Sequence, residues 1–160
     1  MTFGAPVYGE VKARAWARLG VQFRRDLLGD GFWVAEEEGR IQGVGGWSPD
    51  SIESDLAWLR YLFVDPQAAG RGIGRSLVAR AESAAQAAGR PRIHVWSSLN
   101  AVGFYRAVGF HEQRRARWPI EAGIELDHVL MTKRRVRPRV QSTIGTSAQR
   151  GTLADRRRAR

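Results

Sequence analysis

Three observations from the sequence predict one mixed α/β domain in which helices flank a mixed sheet. An almost continuously apolar run, residues 57–64, suits a strand that is buried on both faces. A glycine-rich loop and an amphipathic helix follow this run directly, which indicates at least one β-α-β crossover. Shorter β-prone runs lie before and after this unit, and we expect them to pair as antiparallel strands.

Length and composition narrow the class of protein. A chain of 160 residues is about one domain and can bury a core without disulfides or structural metals. The absence of cysteine excludes disulfide scaffolds, cysteine-ligated zinc and thiol nucleophiles. No apolar run approaches the ~18 residues of a membrane span, and the N-terminus lacks the basic start and apolar core of a signal peptide. We therefore expect a cytoplasmic protein that has no membrane partner.

The net charge of +10 comes almost entirely from the C-terminal end. Residues 1–132 hold 16 basic and 15 acidic residues, whereas residues 133–160 hold ten basic residues and one acid, Asp155. The second stretch has few apolar residues, so it cannot offset the entropy cost of ordering. We predict a folded domain over residues 1–132 and a basic, disordered tail over residues 133–160. The tail is interpreted as a solvated appendage, with weak, salt-sensitive contact to nucleic acid or another acidic surface as the sharper alternative.

The N-terminal elements follow from apolar spacing and turn residues. Gly20 ends a first helix whose apolar face recurs every four residues, namely Val7, Val11, Ala15 and Leu19. A short second helix is expected over residues 23–28. Residues 32–35 and 41–47 are β-prone and flank the turn residues 38–40, which predicts a hairpin. The acidic run at its tip, residues 36–38, is interpreted as solvated.

The C-terminal elements complete the predicted order: two helices, three strands, a helix, a strand, a helix and two strands. Gly89 closes a helix over residues 75–88, whose inward side chains are predicted to be Leu77, Val78, Ala81, Ala84, Ala85 and Ala88. The remaining elements are a strand, a short helix and a closing antiparallel pair, expected over residues 93–96, 101–108, 110–118 and 126–131.

Three alternating glycines join the apolar strand to this helix, in the segment Gly70-Arg71-Gly72-Ile73-Gly74. A helix N-terminus presents unpaired N–H groups and a partial positive charge, and glycines let a ligand reach that backbone closely. Arg71 and Arg75 add positive charge. The loop lacks the Gly-Lys-Ser/Thr of a Walker A motif and the third glycine of a dinucleotide fingerprint. We favour a pyrophosphate site over a plain turn between strand and helix.

Two sequence blocks resemble the GNAT superfamily of N-acetyltransferases. The family's motif V-x-P-x-x-[RQ]-G-x-G-[IVL]-[GA], which precedes a helix, is matched by Val64-Asp65-Pro66-Gln67-Ala68-Ala69-Gly70-Arg71-Gly72-Ile73-Gly74. Its second block, an asparagine followed by F-Y-x-x-x-G-F, is similar to the segment with Asn100, Phe104-Tyr105 and Gly109-Phe110. The blocks stand in the family's order and at its separation, and the resemblance spans roughly residues 30–132.

The resemblance implies an acyl-CoA-binding fold, with a central, mostly antiparallel sheet whose middle strands splay apart. It also implies acetyl-CoA as co-substrate and no metal. In the family, loop amides bind the CoA pyrophosphate, the preceding strand pairs with the pantetheine arm, and an asparagine contacts that arm. The implied CoA-binding residues are Leu62, Phe63, Val64, Gly70, Arg71, Gly72, Ile73, Gly74, Arg75 and Asn100. Tyr105 matches the tyrosine that protonates the leaving thiolate, and Asn100 also suits a helix N-cap.

Two positions depart from the family's pattern. Ala69 stands where the motif has arginine or glutamine, which removes one side-chain contact near the phosphates. Trp58 stands where some members carry a glutamate base, so the base that deprotonates the amine stays open among Glu53, Asp55 and the acids of the hairpin. The histidines lack metal-ligand spacing and are interpreted as structural or exposed: His94, His111 and His128.

The predicted function is therefore N-acetylation of a primary amine by acetyl-CoA. The amine belongs to a small-molecule or peptide acceptor, and the protein is expected to be a monomer or homodimer. Two alternatives remain open. One is an acyl-CoA-binding module that has lost catalysis, which Ala69 and Trp58 would explain; the other is a nucleic-acid-binding protein that acts through residues 133–160.

Overall fold

The computed structural model of the chain describes residues 8–20, 31–121 and 123–134. The helices and strands are α1 (Glu10–Gly20), β1 (Phe32–Glu37), β2 (Arg40–Pro49), β3 (Leu56–Val64), α2 (Ile73–Ala87), β4 (Arg92–Ser98), α3 (Val102–Ala107), β5 (His111–Glu121) and β6 (Ile124–Arg134). Two 3-10 turns, Pro66–Ala68 and Leu99–Ala101, precede α2 and α3. None of the described helices is long and apolar enough to cross a membrane. The helix predicted over residues 23–28 and the chain from residue 135 onward lie outside the described residues.

The six strands form one mixed sheet in the order β1-β2-β3-β4-β6-β5. All neighbouring pairs are antiparallel except β3 and β4. These two strands run parallel because α2 connects them as a crossover helix. The predicted mixed α/β fold, with a mostly antiparallel sheet flanked by helices, is confirmed.

The parallel pair separates soon after it begins. Residues 56–58 of β3 pair with residues 92–94 of β4, and the ladder stops there. A bulge in β3 accompanies the separation, because its register against β2 shifts between Val44 and Gly46 and Tyr61 has a φ of 51°. A left-handed residue within a strand bends that strand locally. The later halves of β3 and β4 therefore diverge and leave a gap, as the predicted splay requires.

The core lies between α2 and the middle of the sheet. Buried residues of the two layers form one cluster: Val78, Ala81 and Ala85 of α2 with Ala57, Leu59, Ile93, Val95, Val129 and Met131 of the sheet. Val78, Ala81 and Ala85 belong to the predicted inward face of the helix, and Leu77 of the same face is also buried. Ala84 is only partly buried, and Ala88 is exposed, contrary to prediction, because the helix ends at Ala87 and the chain turns away at Gly89.

One charged residue is buried with this cluster. Glu82 of α2 is 2% exposed, and its carboxylate lies 2.7 Å from Nζ of Lys133 on β6. The same ammonium group donates to the carbonyl of Val108 at 2.6 Å. Strand β6 runs to Arg134, so Lys133 and Arg134, which the composition shift assigns to the tail, lie in the sheet.

Candidate active site

The glycine loop joins β3 to α2, and its backbone suits an anion. Gly70 and Gly72 have φ of 80° and 84°, in the left-handed region, and nothing lies within 4 Å of the position that a Cβ would take. Gly72 precedes α2 and supplies no side-chain cap. The first N–H groups of this 15-residue helix are therefore left for a ligand.

A cavity of about 460 Å³ opens in front of the loop. Its walls bring the two sequence blocks together: Leu62, Val64, Gly70, Gly72, Ile73, Gly74 and Arg75 from one, with Asn100, Phe104 and Tyr105 from the other. Gly74 allows this approach, because a Cβ there would stand 3.2 Å from the Phe104 ring. The structure thus places eight of the ten predicted CoA-binding residues around one cavity.

The two other predicted residues, Arg71 and Phe63, do not line this cavity. The Arg71 guanidinium forms an ion pair of 2.6 Å with Glu37 at the end of β1, and neither residue lines the cavity. The hydrogen bond and charge of Arg71 lower the pKa of the Glu37 carboxyl. Phe63 lines a second cavity instead. Arg75 therefore supplies the guanidinium that borders the cavity beside the loop.

The second cavity, of about 220 Å³, occupies the gap between the diverging halves of β3 and β4. Its polar and aromatic wall residues come from both strands, from α3 and from β6: Arg60, Tyr61, Phe63, Trp96, Ser98, Tyr105 and His128. Leu62, Ala101 and Tyr105 line both cavities, so the two spaces meet at these residues. The larger space borders the glycine loop and the N-terminus of α2, and the smaller one has room for a small reactant.

Tyr105 lies at this junction. It is 5% exposed, and its ring contacts Phe104 and Phe110 edge to face, with centroid distances of 5.1 and 5.6 Å. Among the described residues its hydroxyl has no hydrogen-bond partner. Burial raises the pKa of the phenol well above 10.0. The hydroxyl consequently keeps its proton at neutral pH and can donate it to a group in either cavity.

Asn100 does not cap α3. It lies exposed within the 3-10 turn that precedes the helix, and Ala101 occupies the N-cap position without a side-chain bond. The N-cap interpretation is therefore wrong. Asn100 lines the larger cavity, so its side chain is available to a ligand.

Two acids that the sequence analysis considered as general bases, Glu53 and Asp55, form ion pairs away from the cavities. Asp55 pairs with Arg92 at 3.0 Å, and Glu53 pairs with the same guanidinium. Trp58, at the family's glutamate position, donates from Nε1 to Asp50 at 2.7 Å. No acid from the described part of the chain lines either cavity.

Two charged or titratable residues of the smaller cavity, Arg60 and His128, were not predicted as site residues. His128, interpreted as structural or exposed, is 8% exposed and lies in the cavity wall. Strand pairing across the sheet brings it there, and no local pattern signals that. Arg60 did carry a signal, since it is the single charge in an otherwise apolar strand.

Comparison with known proteins gives one consistent family. The GNAT acetyltransferase domain matches residues 29–112. An uncharacterised N-acetyltransferase of Methanocaldococcus jannaschii is 31% identical over 109 residues, which are 64% of this chain and 48% of that protein. The chain spans about half the length of the curated relatives it matches.

Solved structures agree on the fold. A GCN5-related N-acetyltransferase from Rhodopseudomonas palustris, also described as an aminotransferase of class II, has a TM-score of 0.70 at 28% identity and covers 82% of this chain and 79% of its own. A Mycobacterium tuberculosis protein in complex with CoA has a TM-score of 0.52 at 22% identity, over 66% of this chain and 76% of its own. The GNAT domain matches more than half of the sequence, and the sheet has the strand order and gap described above. The chain therefore belongs to the GNAT family of acetyltransferases.

Proposed function

We propose that the protein transfers the acetyl group of acetyl-CoA to a primary amine of a small-molecule or peptide acceptor. The observation that carries the proposal is the meeting of two cavities at Tyr105, one bordered by the glycine loop and one set in the strand gap. Two substrates that must react need two spaces with a shared boundary. The family supplies the reaction class, since GNAT proteins are acyltransferases.

In the proposed complex, the phosphates of CoA bind the N-terminal amides of α2 and the guanidinium of Arg75. The Cβ-free space at Gly70 and Gly72 fits this role, because any side chain there would occupy the approach to the amides. The pantetheine arm lies along residues 62–64, where β3 has no ladder to β4. Asn100 contacts the arm from the opposite wall. The CoA-bound solved neighbour supports this choice of co-substrate.

The chemistry at the junction follows from this placement. The acceptor binds in the smaller cavity, and its amine attacks the thioester carbonyl once the ammonium group has lost a proton. Backbone N–H groups that β3 does not use for pairing stabilise the negative oxygen that develops. Tyr105 donates its proton to the departing sulfur, which makes the thiolate a better leaving group. We also propose that the protein is cytoplasmic and that it is a monomer or a homodimer, as the sequence predicts.

A panel of primary amines tests the proposed function. The protein is incubated with acetyl-CoA and each amine, thiol release is recorded, and mass spectrometry identifies the acetylated amine. We expect at least one amine to be acetylated faster than the thioester hydrolyses. Acetyl-CoA binding with no acetylation across a broad panel would contradict transferase activity and favour an acyl-CoA-binding module, the alternative that Ala69 and Trp58 motivate.

A further inference from the structure

The proposed reaction lacks one participant. An acceptor amine is mostly protonated at neutral pH, and an ammonium group has no lone pair with which to attack. Trp58 stands where some members of the family carry a glutamate base, and the described acids do not line the smaller cavity. We propose that His128 takes the proton from the acceptor ammonium, an inference that rests on the proposed function.

The position of His128 suits this role. The register of β6 sets it opposite Ser98 of β4 and Ala116 of β5. From there its side chain lines the 220 Å³ cavity that Tyr105 also lines. The proposed proton acceptor and proton donor therefore border the same small space, on β6 and α3.

Backbone contacts fix the tautomer of the ring. Nδ1 lies 3.2 Å from the carbonyl oxygen of Leu126, and a carbonyl can only accept, so Nδ1 carries the hydrogen. Nε2 then holds the lone pair, and the described residues give it no partner. The Trp118 ring stacks on the imidazole at 4.7 Å and 27°, and it contacts Trp96 in turn at 4.8 Å. The orientation of Nε2 is thus held by packing before any substrate binds.

The surroundings keep the imidazole neutral. Burial lowers the pKa of His128, and this effect exceeds the opposing effects of the Leu126 carbonyl and Asp127. The other titratable groups that face it are Arg114 on β5, Tyr8 ahead of α1, and Arg60, Tyr61 and Tyr105 across the cavity. Burial therefore leaves the ring neutral at neutral pH and able to accept a proton.

The protons balance in this scheme. The first ammonium proton passes to Nε2 of His128 and then to solvent. The freed lone pair forms the C–N bond, and the C–S bond breaks as Tyr105 gives its proton to sulfur. The nitrogen loses a second proton as the amide forms, and that proton restores the Tyr105 hydroxyl. One proton is released for each acetyl group transferred.

A pH profile tests His128 directly. With an amine from the panel, kcat/KM of the wild type is expected to rise with pH and to level off with a midpoint below 6.5, because the pKa of His128 is lowered. His128→Gln should lose about 100-fold or more in kcat and lose this acidic limb, with acetyl-CoA affinity retained. His94→Gln is the control, since His94 is also partly buried and contacts Trp58 but lines neither cavity.

A readout without turnover completes this test. Ring nitrogen shifts in NMR should show His128 protonated on Nδ1 at neutral pH. Protonation on Nε2, or a His128→Gln variant that keeps the wild-type rate and pH profile, would overturn the assignment and leave the proposed function standing. A wild type that acetylates no amine would instead remove the proposed function, and this inference with it.

A second inference rests on Arg60, which faces the same cavity from β3. Its Nε donates to the Ser48 hydroxyl at 3.0 Å, and its guanidinium lies 5.3 Å from the Trp58 ring centroid. Among the described residues no carboxylate forms an ion pair with it. Asp50 has only an electrostatic effect on Arg60, without a direct contact. The Asp50 carboxylate accepts hydrogen bonds from Trp58 and from the amides of Ile52 and Glu53.

A partly buried guanidinium without an ion pair is costly unless a ligand supplies the anion. The phosphates of CoA are too far along the strand, since the glycine loop begins beyond Val64 and four residues of strand span about 13 Å. The cavity holds about seven water volumes, so it has room for the amine and the carboxylate of an acceptor about the size of an amino acid. We infer that the acceptor carries a carboxylate that binds Arg60, besides the amine that it acetylates.

Matched acceptors test this substrate class. Amino acids are compared with their carboxamides, which keep the amine and lose the negative charge. We expect kcat/KM to favour the acids by about tenfold or more, and Arg60→Gln to abolish this preference. Arg80→Gln is the matched control, because Arg80 also lies over a tryptophan, Trp33, at 5.4 Å, outside both cavities. Equal rates for acids and amides in the wild type would overturn the inference, even where acetylation itself is observed.

Discussion

The hydroxyl of Tyr105 is the group through which the two proposed substrates would meet. Tyr105 belongs to the six-residue helix α3. Its ring is held by contacts with Phe104, its neighbour in the sequence, and with Phe110, which follows the helix. Removal of this oxygen should leave the cavity walls intact, because phenylalanine keeps the ring contacts. Tyr105→Phe therefore separates acid catalysis from structure.

We expect Tyr105→Phe to lower kcat by about 100-fold while the acetyl-CoA dissociation constant changes little. Steady-state kinetics and calorimetric titration measure the two quantities separately. The raised pKa of the phenol adds a pH criterion: the acid form is lost only well above pH 10.0, so kcat should show no alkaline decline from this group up to that pH. A Tyr105→Phe variant with undiminished kcat would take Tyr105 out of the reaction.

At the scale of single residues, sequence reasoning succeeds where a motif fixes the position. Tyr105 and the glycines belong to such motifs, and the structure brings them to one cavity. Sequence reasoning does not reveal contacts with partners that lie far along the chain. Arg71 turns to Glu37, 34 residues earlier, and His128 reaches the cavity only through the register of β6 with β4.

The loop before α2 is the element on which CoA binding depends. Gly72 has a φ of 84°, so alanine there must adopt a strained left-handed backbone or shift the start of the helix. Gly39, in the turn between β1 and β2, has a φ of 75° and equally open surroundings. Both alanine variants should therefore lose similar stability, about 1 kcal/mol each.

Their effects on the ligand should differ. We expect Gly72→Ala to weaken acetyl-CoA binding by about tenfold or more, because it disturbs amides that hold the phosphates, and Gly39→Ala to leave the affinity unchanged. Isothermal titration of both variants, with thermal melts beside it, makes the comparison. Equal affinities for the two variants would show that the loop amides do not hold CoA.

The elements themselves were predictable to within a few residues, because apolar periodicity and glycine stops are local signals. The hairpin, the buried strand and the crossover helix all lie where the sequence indicates. The exact end of α2 was not predictable. Alanine suits both a buried helix face and an exposed turn, so Ala88 carries no local sign that the helix ends before it.

At the scale of the whole molecule, one buried ion pair, between Glu82 and Lys133, joins α2 to β6. The Glu82 side chain is 3% exposed and that of Lys133 is 23% exposed. Loss of one partner leaves the other charge with little water to solvate it, so Glu82→Gln should lower the free energy of unfolding by about 3 kcal/mol. Chemical denaturation measures this change.

The matched control is Glu10→Gln, which removes the exposed pair with Arg14 on α1. We expect that change to cost well under 1 kcal/mol, because water screens both charges. The double change Glu82→Leu with Lys133→Met should recover most of the stability lost in Glu82→Gln. Equal costs for Glu82→Gln and Glu10→Gln would show that the buried pair does not hold α2 against the sheet.

The basic residues 133–160 are the predicted site of any nucleic-acid binding by the full chain. Residues 1–132 are nearly neutral, so any nucleic-acid binding that depends on charge should come from the C-terminal end. We expect a chain that ends at Arg134 to lose salt-dependent RNA or DNA binding if the full chain has it, as fluorescence anisotropy at two salt concentrations would show. Binding that survives truncation would place the interface on the folded domain.

The proposed acetyl-CoA site consists of the glycine loop and the cavity that opens in front of it. Its most direct test is calorimetric titration of acetyl-CoA into the full chain and into a chain that ends at Arg134, which keeps all of β6. We predict micromolar binding, about −8 kcal/mol, with one site per chain and the same affinity in both proteins. No measurable binding in either protein, or binding that disappears with the tail, would contradict the account.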